Sequence, residues 1–146
     1  MPRLVDDARL WQSLVACREA RLARALQRAA NAEHVRRIAV AKVDAARLAF
    51  AEAVRQAGEE RSAIDAELLK GNSLRRGDFE RISAAHATID RTVNAARSSV
   101  LAAKSSHTEA CSSLASARRE HALLKRRCEK YRFALNRLTG DHHDDF

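Results

Sequence analysis

The strongest constraint on this chain is a spacing. From Phe79, alternate steps of three and four residues reach Ile82, His86, Ile89, Val93, Ala96, Val100, Ala103, His107, Ala110, Leu114, Ala117, His121, Leu124, Cys128, Tyr131, Leu135 and Leu138. None of these eighteen positions is Asp, Glu, Lys or Arg, in a sequence that is 32% charged. An apolar repeat of about 3.5 residues belongs to a helix that supercoils left-handedly around another helix, with its a and d side chains in the shared seam.

The first half of the chain carries a second register. Its a sites are Ala8, Val15, Leu22, Ala29, Arg36, Val43, Phe50, Ala57 and Ile64. Its d sites are Leu4, Trp11, Arg18, Ala25, Ala32, Ala39, Ala46, Ala53, Glu60 and Glu67, so Arg18, Arg36, Glu60 and Glu67 interrupt the pattern. Between the two registers lies Lys70-Gly71-Asn72-Ser73-Leu74-Arg75-Arg76-Gly77-Asp78. Gly71 suits a helix C-cap and Asp78 an N-cap. A loop this short makes its two helices antiparallel neighbours. The predicted fold is therefore all-α: a long antiparallel two-helix coiled-coil hairpin. Helix 1 is expected over about 3–70, a loop over 71–78 and helix 2 over about 79–139, with Gly140 as a second cap and 141–146 as a flexible acidic, His-containing tail. Each helix would run roughly 90–100 Å.

Antiparallel seams place an a site against a d site. Folding the chain about Ser73 pairs residues whose numbers add to 146, among them Trp11–Leu135, Val15–Tyr131, Leu22–Leu124, Ala32–Leu114, Phe50–Ala96 and Ile64–Ile82. Pairs such as Ala32–Leu114 and Phe50–Ala96 set a large residue against a small one, as close packing rewards. Glu60 meets His86 in this register. The alanine layers in the middle bury little area, so each contributes modestly at ~25 cal/mol per Å².

Chemistry is hard to find along this pattern. With 4% aromatic residues the chain cannot build a thick core around a pocket. There is no phosphate-cradling Gly-rich loop, no G-x-S-x-G and no H-E-x-x-H. Nothing groups a nucleophile, a base and an oxyanion donor, so no catalytic residue, small-molecule substrate or cofactor is expected. His86, His107 and His121 all fall at a sites. They lie too far apart along a helix to share a metal, so they read as polar seam residues that fix register. Mild acid, where imidazole ordinarily titrates, would loosen such a seam. Cys17, Cys111 and Cys128 lack C-x-x-C spacing, which argues against a disulfide framework or a zinc site and for a reducing cytosol. No uncharged apolar stretch approaches a membrane span, and Asp6 and Asp7 interrupt any signal-peptide core.

The net charge of +8 is unevenly placed. Residues 3–37 hold eight basic and four acidic groups, and residues 118–137 hold eight and two. Residues 38–117 are almost balanced, with eleven and ten. A hairpin brings the two basic segments together. Such an end fits an acidic protein cavity that it enters under electrostatic steering. Nucleic-acid binding is the weaker alternative, because stacking aromatics and a groove-reading motif are absent. A generic coiled-coil adaptor or scaffold, including a homodimer, is the other.

The length, the two-helix architecture, the basic end and the start Leu10-Trp11-Gln12-Ser13-Leu14-Val15-Ala16-Cys17-Arg18-Glu19 together resemble the FliJ/YscO/HrpO-like stalk proteins of flagellar and type III secretion export. The resemblance spans nearly the whole chain. It implies a bacterial, cytoplasmic, non-enzymatic stalk, peripheral to a membrane export apparatus. Its basic end would bind and activate a hexameric export ATPase, and other surfaces would contact an export gate protein or secretion chaperones. Charge and location, rather than a family motif, single out Arg21, Arg24, Arg28, Arg126, Arg127 and Lys130 for the ATPase end.

Overall fold

The computed structural model describes residues 2–70 and 74–140, with side chains in the first helix from residue 6 onward. Helix α1 is Pro2–Leu69, 68 residues, and helix α2 is Arg76–Gly140, 65 residues. Among the described residues there is no strand. The two helices pack against each other as an antiparallel hairpin. Packing divides the chain into two compact units: unit 1 is Met1–Arg36 with Ala110–Phe146, and unit 2 is Arg37–Glu109.

Both units are built on the heptad sites. The well-buried residues of unit 1 are Val15, Ala25, Ala110, Leu114 and Cys128, and those of unit 2 are Ala39, Val43, Ala57, Ile89 and Val100. Every one is an a or d residue. Contacts across the seam join residues whose numbers add to between 142 and 151, a range that contains the register of 146. In unit 1 Tyr131 packs on Trp11 at a ring separation of 5.9 Å, and the Arg18 guanidinium lies 5.1 Å from the same ring centre. Tyr131 thus sits at the level of Val15, between the d residues one step to either side. In unit 2 the Arg97 guanidinium lies 5.9 Å from the Phe50 ring centre.

Residues beside the seam pair in the same antiparallel sense. Glu19–Arg132, Glu33–Arg118 and Arg61–Asp90 each join an e site to an e site, and Arg28–Glu120 joins g to g. Each partner lies somewhat C-terminal to strict a–d alignment. Helical side chains lean toward their own N-terminus, so residues displaced in this sense meet.

Three expectations need correction. Phe79 is 57% exposed and Leu138 39% exposed. In the 146 register Phe79 falls opposite Glu67, which is exposed, and Leu138 opposite the small Ala8. Helix α2 also starts earlier than expected, at Arg76. Asp78 is then the third helical residue rather than the N-cap. Its carboxylate accepts the Arg75 backbone N–H at 3.0 Å, which is the back-reaching half of a capping box. Arg81 bonds the other carboxylate oxygen at 2.8 Å. At the end of α1, the Lys70 N–H donates to the Glu67 carbonyl at 3.3 Å, tightening the last turn. Gly71, proposed as the cap there, lies outside the described residues, as do the Leu4 side chain and the 141–146 tail.

Candidate protein-docking surface

Two of the four charged seam residues lie in unit 1, and both are held there. Arg18 spreads over Tyr131, a cation–π arrangement that lets its apolar stem fill the layer. Arg36 forks onto Glu33, with Nη2 at 2.7 Å and Nε at 3.0 Å from the two carboxylate oxygens. That hydrogen bonding keeps the guanidinium pKa above its usual value. Arg118 of α2 approaches the same carboxylate at 3.6 Å.

Apart from outward-facing residues such as Arg119 and Arg126 at f sites, the remaining charges of unit 1 lie on two flanks of the seam. The e flank is balanced. Glu19 accepts from Arg132 at 2.8 Å, which raises the Arg132 pKa, and Glu33 takes Arg36 and Arg118. A groove of about 340 Å³ on this flank is edged by Glu19, Glu129, Lys125 and Arg132, two charges of each sign.

The g flank is different. Its g and c sites hold Arg21, Arg24 and Arg28 on α1, and Arg127, Lys130 and Arg137 on α2. Glu120 is the only carboxylate on the same flank between residues 10–31 and 113–137. It is engaged by Arg28 at 3.2 Å. Arg21, Arg24, Arg127 and Lys130 are exposed and have no hydrogen-bond or ion-pair partner among the described residues. A groove of about 350 Å³ opens here, lined by Trp11, Arg18, Arg127, Lys130, Tyr131 and Ala134. Its floor is aromatic, its edge carries three cations, and it has no carboxylate.

Of the six residues singled out from charge and location, the structure therefore brings five to one flank: Arg21, Arg24, Arg28, Arg127 and Lys130. Arg126 falls at an f site, on the outer side of α2 away from the seam. Sequence reasoning missed the groove floor of Trp11, Tyr131 and Ala134, and it missed Arg18. The signal was present in the e and g letters, which assign each charge to a side once the seam register is set.

Unit 2 offers a larger concavity, about 580 Å³, where Ile64, Leu68, Leu74 and Ile82 are edged by charges of both signs. Among the described residues no three His, Cys, Asp or Glu side chains come together in a metal-holding arrangement, and no helix is long and apolar enough to cross a membrane. The three cysteines are free thiols. Comparison of the chain with protein-family models, with curated proteins and with solved structures finds no match.

Proposed function

We propose that this chain is a non-enzymatic stalk of a type III secretion export apparatus. On this reading unit 1 enters and activates a hexameric export ATPase. Other surfaces of the hairpin contact an export gate protein or secretion chaperones. The chain acts in the cytoplasm, at the periphery of the membrane apparatus. The observation that carries the reading is the set of unpaired cations on unit 1. Four exposed basic side chains on one flank have no acidic partner among the described residues. Uncompensated charge of one sign raises the encounter rate with an oppositely charged cavity and orients the approach.

The direct test adds the purified chain to an isolated export ATPase and follows phosphate release. Stimulation by the natural chain is expected. A variant carrying Arg21→Glu, Arg24→Glu and Arg127→Glu should lose it by about tenfold or more at low salt. Equal stimulation by both chains would reject the docking end, and no stimulation by the natural chain would reject the stalk.

A further inference from the structure

The g flank holds a feature that overall charge polarity does not explain. Arg28 and Glu120 occupy one g–g rung across the seam and form an ion pair at 3.2 Å. One heptad away, the equivalent rung is filled by Arg21 and Arg127. Two guanidinium groups at the same rung repel where an ion pair would attract. Arg24 and Lys130 add like charge at the neighbouring c sites. Among the described residues of unit 1 no carboxylate pairs with this group, whereas each charged e-flank rung of Glu19 and Glu33 is closed by an arginine.

Beside the cationic rung the flank turns apolar. Trp11 and Ala134 line the groove. Leu10 at a c site is 68% exposed, and Leu123, at a c site of α2, is 49% exposed. Apolar and cationic groups thus alternate along one flank over residues 10–28, roughly 27 Å of helix.

We propose that this g flank is the docking surface for a single acidic amphipathic helix of a partner protein, about 18 residues long. The helix lies along the groove, with its apolar stripe on Trp11, Ala134 and Leu10 and its carboxylates on Arg21, Arg24, Arg127 and Lys130. A helix laid in a groove is read through anchors spaced three and four residues apart, which is the spacing of the g and c sites themselves. Nucleic acid fits less well. Base stacking needs an open aromatic face, and Tyr131 has Arg18 over its ring and Trp11 tilted against it. The inference rests on reading unit 1 as a docking end. It sharpens that reading by making the contact one-sided: the partner meets the g flank and leaves the balanced e flank free.

The test uses a fluorescent 18-residue peptide of Glu, Leu and Phe patterned as an amphipathic helix, a scrambled peptide of the same composition, and a single-stranded oligonucleotide. Anisotropy is followed with the full chain. One variant carries Arg21→Glu, Arg127→Glu and Lys130→Glu. A control carries the same charge change off the flank, as Arg119→Glu, Lys125→Glu and Arg126→Glu. A third, Ala134→Trp, fills the groove without altering charge. Circular dichroism checks that each remains helical. The patterned peptide should bind the natural chain more tightly than the scrambled one. The g-flank variant should lose at least about tenfold in affinity, Ala134→Trp about threefold or more, and the control less than about threefold. Equal losses in the two charge variants would reduce the effect to long-range attraction and overturn the proposal. So would scrambled peptide or oligonucleotide binding as well as the patterned peptide. ATPase stimulation separates the two levels. A bound peptide without stimulation leaves the docking surface standing and removes the stalk. Stimulation lost equally in both charge variants keeps the stalk and removes the one-sided surface.

Discussion

The seam carries two charged residues in each unit, and their fates are opposite. In unit 1 Arg18 and Arg36 stay half-buried, one on the Tyr131 ring and one on Glu33. In unit 2 Glu60 and Glu67 are exposed. Reach accounts for the difference. Arginine has a long apolar stem that occupies the layer while its planar head finds a ring or carboxylate at the edge. Glutamate is two atoms shorter in reach and lacks that fork, so it turns outward and leaves its layer unfilled. Phe79, opposite Glu67, is exposed for the same reason. A charged a or d residue is therefore not one kind of defect: in unit 1 it is absorbed into the seam, and in unit 2 it turns out of it.

Removing the Tyr131 ring should have the largest effect. Tyr131→Ala takes away the platform of both Trp11 and Arg18 and should cost roughly 2–3 kcal/mol in urea unfolding, below the range for a fully buried aromatic because Tyr131 is partly exposed. A loss under about 0.5 kcal/mol, the ordinary surface value, would show that Arg18 is not absorbed in the sense described. Filling an open layer works the other way. Glu60→Leu supplies a d side chain opposite His86 and should add about 1 kcal/mol, seen as a rise of a few degrees in Tm. An unchanged or lower Tm would mean that the layer is not available to apolar packing. Close by, Gly58 lies inside α1 with nothing within 4 Å of a Cβ placed there. Gly58→Ala should therefore stabilise by about 0.5–1 kcal/mol through helix propensity alone, without altering the seam.

The smallest effect concerns charges that stay on one helix. In unit 2 Arg55 bridges Glu52 and Glu59 along α1, and its hydrogen bond holds the Glu52 carboxyl below the usual carboxylate range. A carboxyl with a lowered folded-state pKa stabilises fully above its unfolded value, and that contribution is lost as pH falls through the folded value. Glu52→Gln should thus melt slightly below the natural chain at neutral pH, and the difference should shrink as the pH falls through the folded Glu52 value, below the usual carboxylate range. A difference that persists in acid would point to packing instead.

Much of the fold could be read from the heptads, because a seam with one apolar stripe per helix admits few alternatives. Among the described residues, all ten well-buried ones are a or d sites. The helix start at Arg76 was less legible. Asp78 caps helices from either of two places, and backbone geometry chooses between them. The candidate surface was legible as an end and not as a side. Whether an arginine is free depends on its neighbour across the seam: Glu120 is 92 positions from Arg28, and Arg132 is 113 from Glu19. Fixing both the register and the side of each charge turns a basic segment into a balanced flank and an unbalanced one.

Cys128 is 1% exposed, while Cys17 in the same unit is exposed. The chain therefore carries its own clock for separation of the helices in unit 1. A thiol-alkylating reagent should modify Cys17 at the rate of an open thiol. It should reach Cys128 only during the intervals when α1 and α2 part, so that the ratio of the two rates counts those openings. Because Cys17 lies at a c site of the g flank, between Leu10 and Arg24, the effect of an occupant is read from the Cys128 rate alone: one that spans both helices should slow it, and one that touches a single helix should leave it unchanged.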